Sequence, residues 1–253
     1  MNGKNNQLRF LWLALYAGLT FFSLGRWQIP VAAWLAPVFG LQFYRNSEKG
    51  GRAFLWLWLA TAVPTILGWH NATAIHAFSP LAEPIFFTVL IPIGLLSYVV
   101  DRFYHRRWAR NGRSPFWLTL VFPISATALD FFSASGSPFG SFGAAAYSQV
   151  GFTALMQITA VTGMWSIPFI TSWFASVANY VWDNAFSAEK GFEWQKINRG
   201  VLTFGGVMVL LFGFGIGRLA MADSDPQTVK IGGFSLAEEG FVSTVSLLQN
   251  DDH

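Results

Sequence analysis

The chain has 253 residues, 53% of them hydrophobic and only 11% charged, against about 25% charged in an ordinary soluble domain. It contains no cysteine, which excludes disulfides, thiolate nucleophiles and cysteine-ligated metals within these residues. The net charge of +3 does not point to nucleic acid, so no such partner is expected. Aromatic residues reach 17%, with 26 Phe and 12 Trp. A Trp excess of this kind fits interfacial belts, where an apolar ring with one N–H sits at headgroup level. The composition is that of an integral membrane protein.

A spanning helix needs about 20 mostly apolar residues. In chain order the candidate runs are 8–24, 28–44, 52–69, 84–100, 116–132, part of 153–182, and 200–217. The first follows Lys4 and Arg9, as a signal peptide would. A second apolar run begins almost at once, and Ser23-Leu24-Gly25 makes a poor cleavage site, so the first run reads as a retained helix. The basic residues sort by loop. Lys4, Arg9, Arg45, Lys49, Arg52, Arg102, Arg106, Arg107, Arg110, Arg113, Lys190, Lys196 and Arg199 fall on one set of alternate segments. Only Arg26, Arg218 and Lys230 fall on the other. Positive residues stay cytoplasmic, which predicts an all-α membrane protein of seven helices, N-terminus in and C-terminus out.

The sixth run is too long for one span. Thirty residues would reach about 45 Å, beyond a hydrocarbon core of roughly 30 Å. Gly163 and Pro168 both weaken a continuous helix. The expectation is a re-entrant or surface segment over 153–161, then a span over 164–182. In the seventh run Gly213 and Gly217 have GxxxG spacing, which reads as close helix packing. That run contains no Lys, so a retinal Schiff base there is excluded.

Residues 1–220 therefore form the expected transmembrane domain. From 221 to 253 a polar linker, MADSDPQ, leads into TVKIGGFSLAEEG, which alternates like a first β-strand. A strand that short cannot bury a core alone. The tail reads as the truncated start of a further domain.

Asp130 is the main intramembrane acid. Such groups are costly in a bilayer and often functional. Near the outer end of its helix it is either an interfacial structural acid or a pocket residue. A charge-free loop rich in Gly, Ser, Pro and Phe follows it. His70, His76 and Glu83 carry metal-ligand chemistry, but their spacing suits no single helix face, and the segment reads as an interfacial loop. The Asp101–Arg110 stretch reads as a positive-inside signal, with anionic-lipid binding as the competing reading.

The stretch 122–182 resembles apolipoprotein N-acyltransferase and related membrane-anchored members of the carbon–nitrogen hydrolase (nitrilase) superfamily. The resemblance rests on Asp130, the turn Gly136-Ser137-Pro138-Phe139-Gly140, Ala146-Tyr147-Ser148-Gln149, Leu155-Met156-Gln157 and Thr162-Gly163-Met164-Trp165. Asn179 follows in the sixth helix. Earlier, Gly25-Arg26-Trp27 with Trp34-Leu35-Ala36-Pro37 looks like the family's hairpin between its first two helices. The tail VKIGGFSL resembles the first strand of the family's extracytoplasmic hydrolase domain.

By this resemblance the protein would sit in a bacterial inner membrane and serve lipoprotein biosynthesis. The family moves an acyl chain from a phospholipid to the amino group of a lipoprotein, through a thioester on a Glu-Lys-Cys triad. The implied partners are membrane phospholipid, a lipoprotein acceptor and a separately encoded hydrolase domain, with no cofactor. The implied substrate-binding residues are Asp130, Ser137, Pro138, Phe139, Gly140, Ser141, Tyr147, Gln149, Gln157 and Trp165. This chain departs from the pattern in having no Cys, in ending before the triad region, and in carrying Asp130 where the family more often has Glu. No catalytic residue carries over, and the expectation is a membrane domain inactive alone. The alternative is a non-enzymatic seven-helix protein, a lipid-binding scaffold or a receptor- or transporter-like module.

Overall fold

The computed structural model describes residues 3–70, 72, 79, 81–109, 114–137, 139–187 and 191–221. The sequence readings at His76, Arg110, Arg113, Pro138, Lys190 and the tail 222–253 lie outside these residues.

Each apolar run forms a helix. These are α1 (Gly3–Phe21), α2 (Pro30–Arg45), α3 (Gly50–Trp69), α4 (Ala82–Trp108), and α5 (Val121–Gly136), entered through a 3-10 turn at Phe116–Leu120. A second 3-10 turn, Ala145–Gln149, and two single-turn helices, α6 (Thr153–Met156) and α7 (Thr159–Thr162), lead to α8 (Ser166–Ala185). A two-residue antiparallel pair, β1 (Phe186–Ser187) and β2 (Gly191–Phe192), then turns the chain into α9 (Trp194–Ala220).

Local chemistry sets several boundaries. Pro30 occupies the first turn of α2, where its missing N–H costs nothing. Asn46 ends α2, its backbone N–H reaching Gln42 O. Within the helices, hydroxyls bond back to their own backbone: Thr20 to Tyr16 O, Thr61 to Leu57 O, Ser125 to Val121 O, Thr203 to Arg199 O. In apolar surroundings this is how a hydroxyl finds an acceptor.

Among the described residues, α3, α4, the Phe116–Gly136 run and α9 are long and apolar enough to cross a membrane. The α6–α7 pair with α8 makes a fifth candidate if counted as one bent span. The apolar part of α1, Leu8–Phe21, and the 16-residue α2 are shorter. The outer faces are apolar, with Val209 and Leu210 of α9 73% and 74% exposed. Water would oppose such a surface and lipid favours it. This is the make-up of an all-helical, multi-pass membrane protein.

The core joins α1, α2, α3, α4, α5 and α8 through Tyr16, Leu41, Phe43, Leu57, Tyr98, Phe122 and Ala175. Gly40 is essential to that packing. A Cβ there would lie 2.9 Å from both the Tyr16 and Tyr98 rings. The long helices alternate in direction, which gives the bundle two unlike ends. One carries Arg45, Asp101, Arg106 and Asp183. The other carries the 139–162 segment, called here the loop end.

The expected break in the sixth run is present. The α6–α7 segment and α8 meet at 117°. Gly163 sits at the corner with φ +74° and ψ 174°, a conformation that L side chains avoid.

Candidate functional site

The loop end is where the chain gathers most of its candidate residues. After α5 ends, Ser137 Oγ accepts from the Phe139 N–H at 3.1 Å, and Gly140 turns the chain at φ +58°. The segment then crosses the bundle end and drops into the 3-10 turn Ala145–Gln149.

Two anchors hold that turn. Asp130, half-buried on α5, accepts the Ala145 N–H at 3.1 Å. Gln149 is fully buried, 0% exposed. Its Oε1 accepts from Trp34 Nε1 at 2.9 Å, and its Nε2 donates to Pro30 O and Ser148 Oγ, both at 3.0 Å. The Gln149 amide is thus engaged within the protein and fixes the turn to the start of α2. A third tie comes from Gln28, whose Nε2 donates to Tyr147 O at 2.9 Å.

Aromatic rings complete the attachment. Phe139 meets Phe86 edge-on at 5.8 Å, and Phe142 meets Trp69 at 5.4 Å. Trp165 meets Phe131 edge-on at 5.4 Å. Phe152 lies against Phe212 of α9 at 5.4 Å. Such contacts are worth about 0.5–1.5 kcal/mol each beyond area burial. Below Phe152, α9 closes onto α6 so tightly that a Cβ on Gly215 would stand 1.9 Å from Ala154 O.

These anchors leave an apolar ledge. Phe139, Phe142, Tyr147, Val150 and Phe152 are exposed along it. The Tyr147 hydroxyl and Ser141 Oγ share a hydrogen bond of 2.9 Å there. The ledge therefore offers rings and aliphatic carbons beside hydroxyls, over one carboxylate whose second oxygen makes no hydrogen bond among the described residues. That combination suits an amphiphile: acyl carbons along the rings, polar headgroup atoms at the hydroxyls.

The predicted residues divide by position. Asp130, Ser137, Phe139, Gly140, Ser141, Tyr147 and Gln149 come together at the ledge. Trp165 is half-buried beyond the Gly163 corner, against Phe131. Gln157 is half-buried between α6 and α7, its amide turned back to Thr153 O at 3.2 Å. Pro138 lies outside the described residues.

A second polar cluster lies at the opposite end and includes Asp101 and His105, from the stretch whose competing reading is anionic-lipid binding. Arg45 Nε and Nη2 donate to Asp101 Oδ2 and Oδ1 at 2.7 and 2.9 Å, and Arg45 Nη1 lies 3.7 Å from Asp183. Asp101 is 0% exposed, and His105 Nδ1 stands 3.3 Å from its Oδ1. The pair ties α2 to α4, with α8 beside them. One signal was available: each partner is the first charge after an apolar run. Among the described residues no group of three His, Cys, Asp or Glu side chains is placed to hold a metal ion.

No protein-family model, no curated protein and no solved structure matches this chain.

Proposed function

We propose that this chain is the membrane domain of an apolipoprotein N-acyltransferase-like system, crossing a bacterial inner membrane seven times with its loop end outward. Its task is to receive a phospholipid at the ledge and present the acyl ester to a hydrolase domain outside these residues. The acceptor is the amino group of a lipoprotein. The chain has no cysteine, so the thiolate for a thioester comes from that other domain. No bond-breaking step is assigned to the residues described here.

One observation carries the reading. The 139–152 segment is pinned across the bundle end by Asp130 and Gln149, and it leaves Phe139, Phe142, Tyr147, Val150 and Phe152 exposed. A loop meant only to link two helices has no need of a buried amide with three hydrogen bonds. A loop that must hold rings against an acyl chain does. The orientation rests on the thirteen basic residues gathered on alternate segments. The shorter α1 and α2 span by local thinning of the bilayer, which costs fractions of a kcal/mol per Å.

The test is photocrosslinking in nanodiscs with a phospholipid bearing a diazirine near the ester carbonyl. Adducts should map to 139–152 above the level on the plainly lipid-facing Val209 region of α9. Asp130→Ala, which removes one anchor of the 3-10 turn, should lower that enrichment several-fold. Equal labelling of both regions in the unmodified protein would overturn the proposal.

A further inference from the structure

The basic end holds a charge imbalance that the bundle does not resolve. Arg102 and Arg106 lie one turn apart on α4 and reach the same loop between α2 and α3. Arg102 is buried, with Nη1 donating to Tyr44 O at 2.9 Å and Nη2 to Ser47 O and Glu48 O. Arg106 is exposed, and its Nη2 donates to the same two oxygens, Ser47 O at 3.1 Å and Glu48 O at 3.4 Å. Two guanidinium groups therefore converge on neutral acceptors. Of the nearby carboxylates, Asp101 and Asp183 face Arg45, and Glu48, in the same loop, is exposed to solvent. Among the described residues no carboxylate forms an ion pair with Arg102 or Arg106.

Like charges brought together without a counter-ion repel, and the cost rises as water is excluded. The neighbours add to it. The start of α3 approaches closely, since a Cβ on Gly50 would lie 3.8 Å from Arg102 Cζ. The exposed Lys49 and Arg52 flank that glycine, and Arg107 is exposed beside Arg106.

The height in the membrane fits a headgroup. The 27 residues of α4 reach about 40 Å, while a hydrocarbon core is about 30 Å thick, so its basic last turns emerge. Tyr104 stacks on Trp108 at 5.0 Å, and Trp108 meets Trp117 at 5.8 Å, an aromatic group suited to the interface. Arg106 Nε and Nη1 have no acceptor among the described residues. Each keeps a charge-assisted N–H for a phosphate oxygen, while Nη2, the nitrogen that shares an edge with either, already serves the loop carbonyls.

We propose that Arg106, backed by Arg102 and flanked by Lys49 and Arg52, binds the phosphate of an anionic phospholipid headgroup in the leaflet at the basic end. This site is independent of the ledge and of the function proposed for it.

The experiment follows thermal unfolding of the full chain in neutral detergent, read by tryptophan fluorescence. The probes are phosphatidylglycerol, phosphatidylcholine and inorganic phosphate. Phosphatidylglycerol should raise the melting temperature in a saturable way, and phosphatidylcholine should not. Arg106→Gln should weaken the apparent lipid affinity about tenfold, the loss of a charge-assisted contact. Arg106→Lys should fall between, keeping the charge but not the guanidinium's separate donors to the loop and to the lipid. Arg199→Gln, an exposed arginine at the start of α9, should bind like the unmodified chain. If Arg199→Gln loses as much as Arg106→Gln, the attraction is diffuse and the proposal fails. It fails too if inorganic phosphate alone stabilises as strongly as the lipid. Arg106 is exposed, so its variants should melt near the unmodified chain without lipid. If they do not, lipid retention in native mass spectrometry replaces the melting readout, and equal retention by all variants overturns the site.

Discussion

Trp34 and Gln149 stand 115 positions apart and meet at 2.9 Å, the indole N–H donating to the buried amide oxygen. One residue lies in the second turn of α2 and the other closes the 3-10 turn of the loop end. Their bond, with the Pro30 carbonyl on the other side of the same amide, joins the first helical hairpin to the segment that forms the ledge.

That bond predicts a measurable coupling. Trp34→Phe keeps the ring but leaves Gln149 Oε1 without its donor. Leaving a buried polar atom unmatched costs about 1–3 kcal/mol. Gln149→Leu should cost a similar amount, because Trp34 and Pro30 then lose their partner. The double variant should cost less than the sum by at least about 0.5 kcal/mol. Unfolding in denaturant, run as a double-mutant cycle, measures it, and strict additivity would show that the two residues do not interact.

The Arg45–Asp101 pair should behave as a buried ion pair. Asp101→Asn or Arg45→Gln alone strands a charge and should destabilise by about 3–5 kcal/mol. Replacing both, Arg45→Met with Asp101→Leu, should recover much of that loss. Asp183→Asn should cost less than Asp101→Asn. Asp183 is partly exposed and 3.7 Å from the guanidinium, against 2.7 Å for Asp101. Melting temperatures of the four proteins rank these effects.

Two glycine substitutions on α9 should have opposite signs. Gly215→Ala places a methyl group 1.9 Å from Ala154 O. The α6 backbone must move, and overpacking of this kind costs about 1–3 kcal/mol. Gly213→Ala meets nothing within 4 Å and should stabilise by up to about 1 kcal/mol through helix propensity. Thermal unfolding separates the two, and equal shifts would mean that α9 does not press on α6.

Gly163→Ala should disturb the corner between α7 and α8. Backbone with φ +74° and ψ 174° costs a side chain about 1–3 kcal/mol. The corner should loosen, and a spin label at the exposed Val161 should become more mobile. An unchanged spectrum would mean that the corner tolerates a side chain.

The native chain has no cysteine, so any cysteine introduced is the sole one. Ser141→Cys and Lys49→Cys lie at opposite ends of the bundle. An impermeant maleimide added outside cells should label the first and not the second. Labelling of both from one side would contradict the spanning arrangement.

The sequence by itself determined the helices. Each apolar run became one, because a long stretch without charge satisfies its backbone internally. It also marked the break near Gly163, since thirty apolar residues exceed one membrane thickness and glycine and proline weaken a helix at known positions. It collected most of the ledge residues, because a charge-free polar loop between spans is itself unusual. Only the tertiary structure decided what those residues do. Gln149 enters the sequence reading only through the resemblance, as an implied substrate-binding residue, and becomes an anchor because Trp34 and Pro30 arrive beside it from another hairpin. Arg45 reads as part of a positive-inside tally and Asp101 as an acid at the edge of a basic stretch, and the two prove to be a buried pair. Arg102 and Arg106 lie in a stretch read as a positive-inside signal or a lipid site, and they converge on two shared carbonyls. Hydropathy and helix propensity are local quantities, summed along the chain. Partnership across more than a hundred residues depends on which helix faces meet, and that is settled only when the bundle packs.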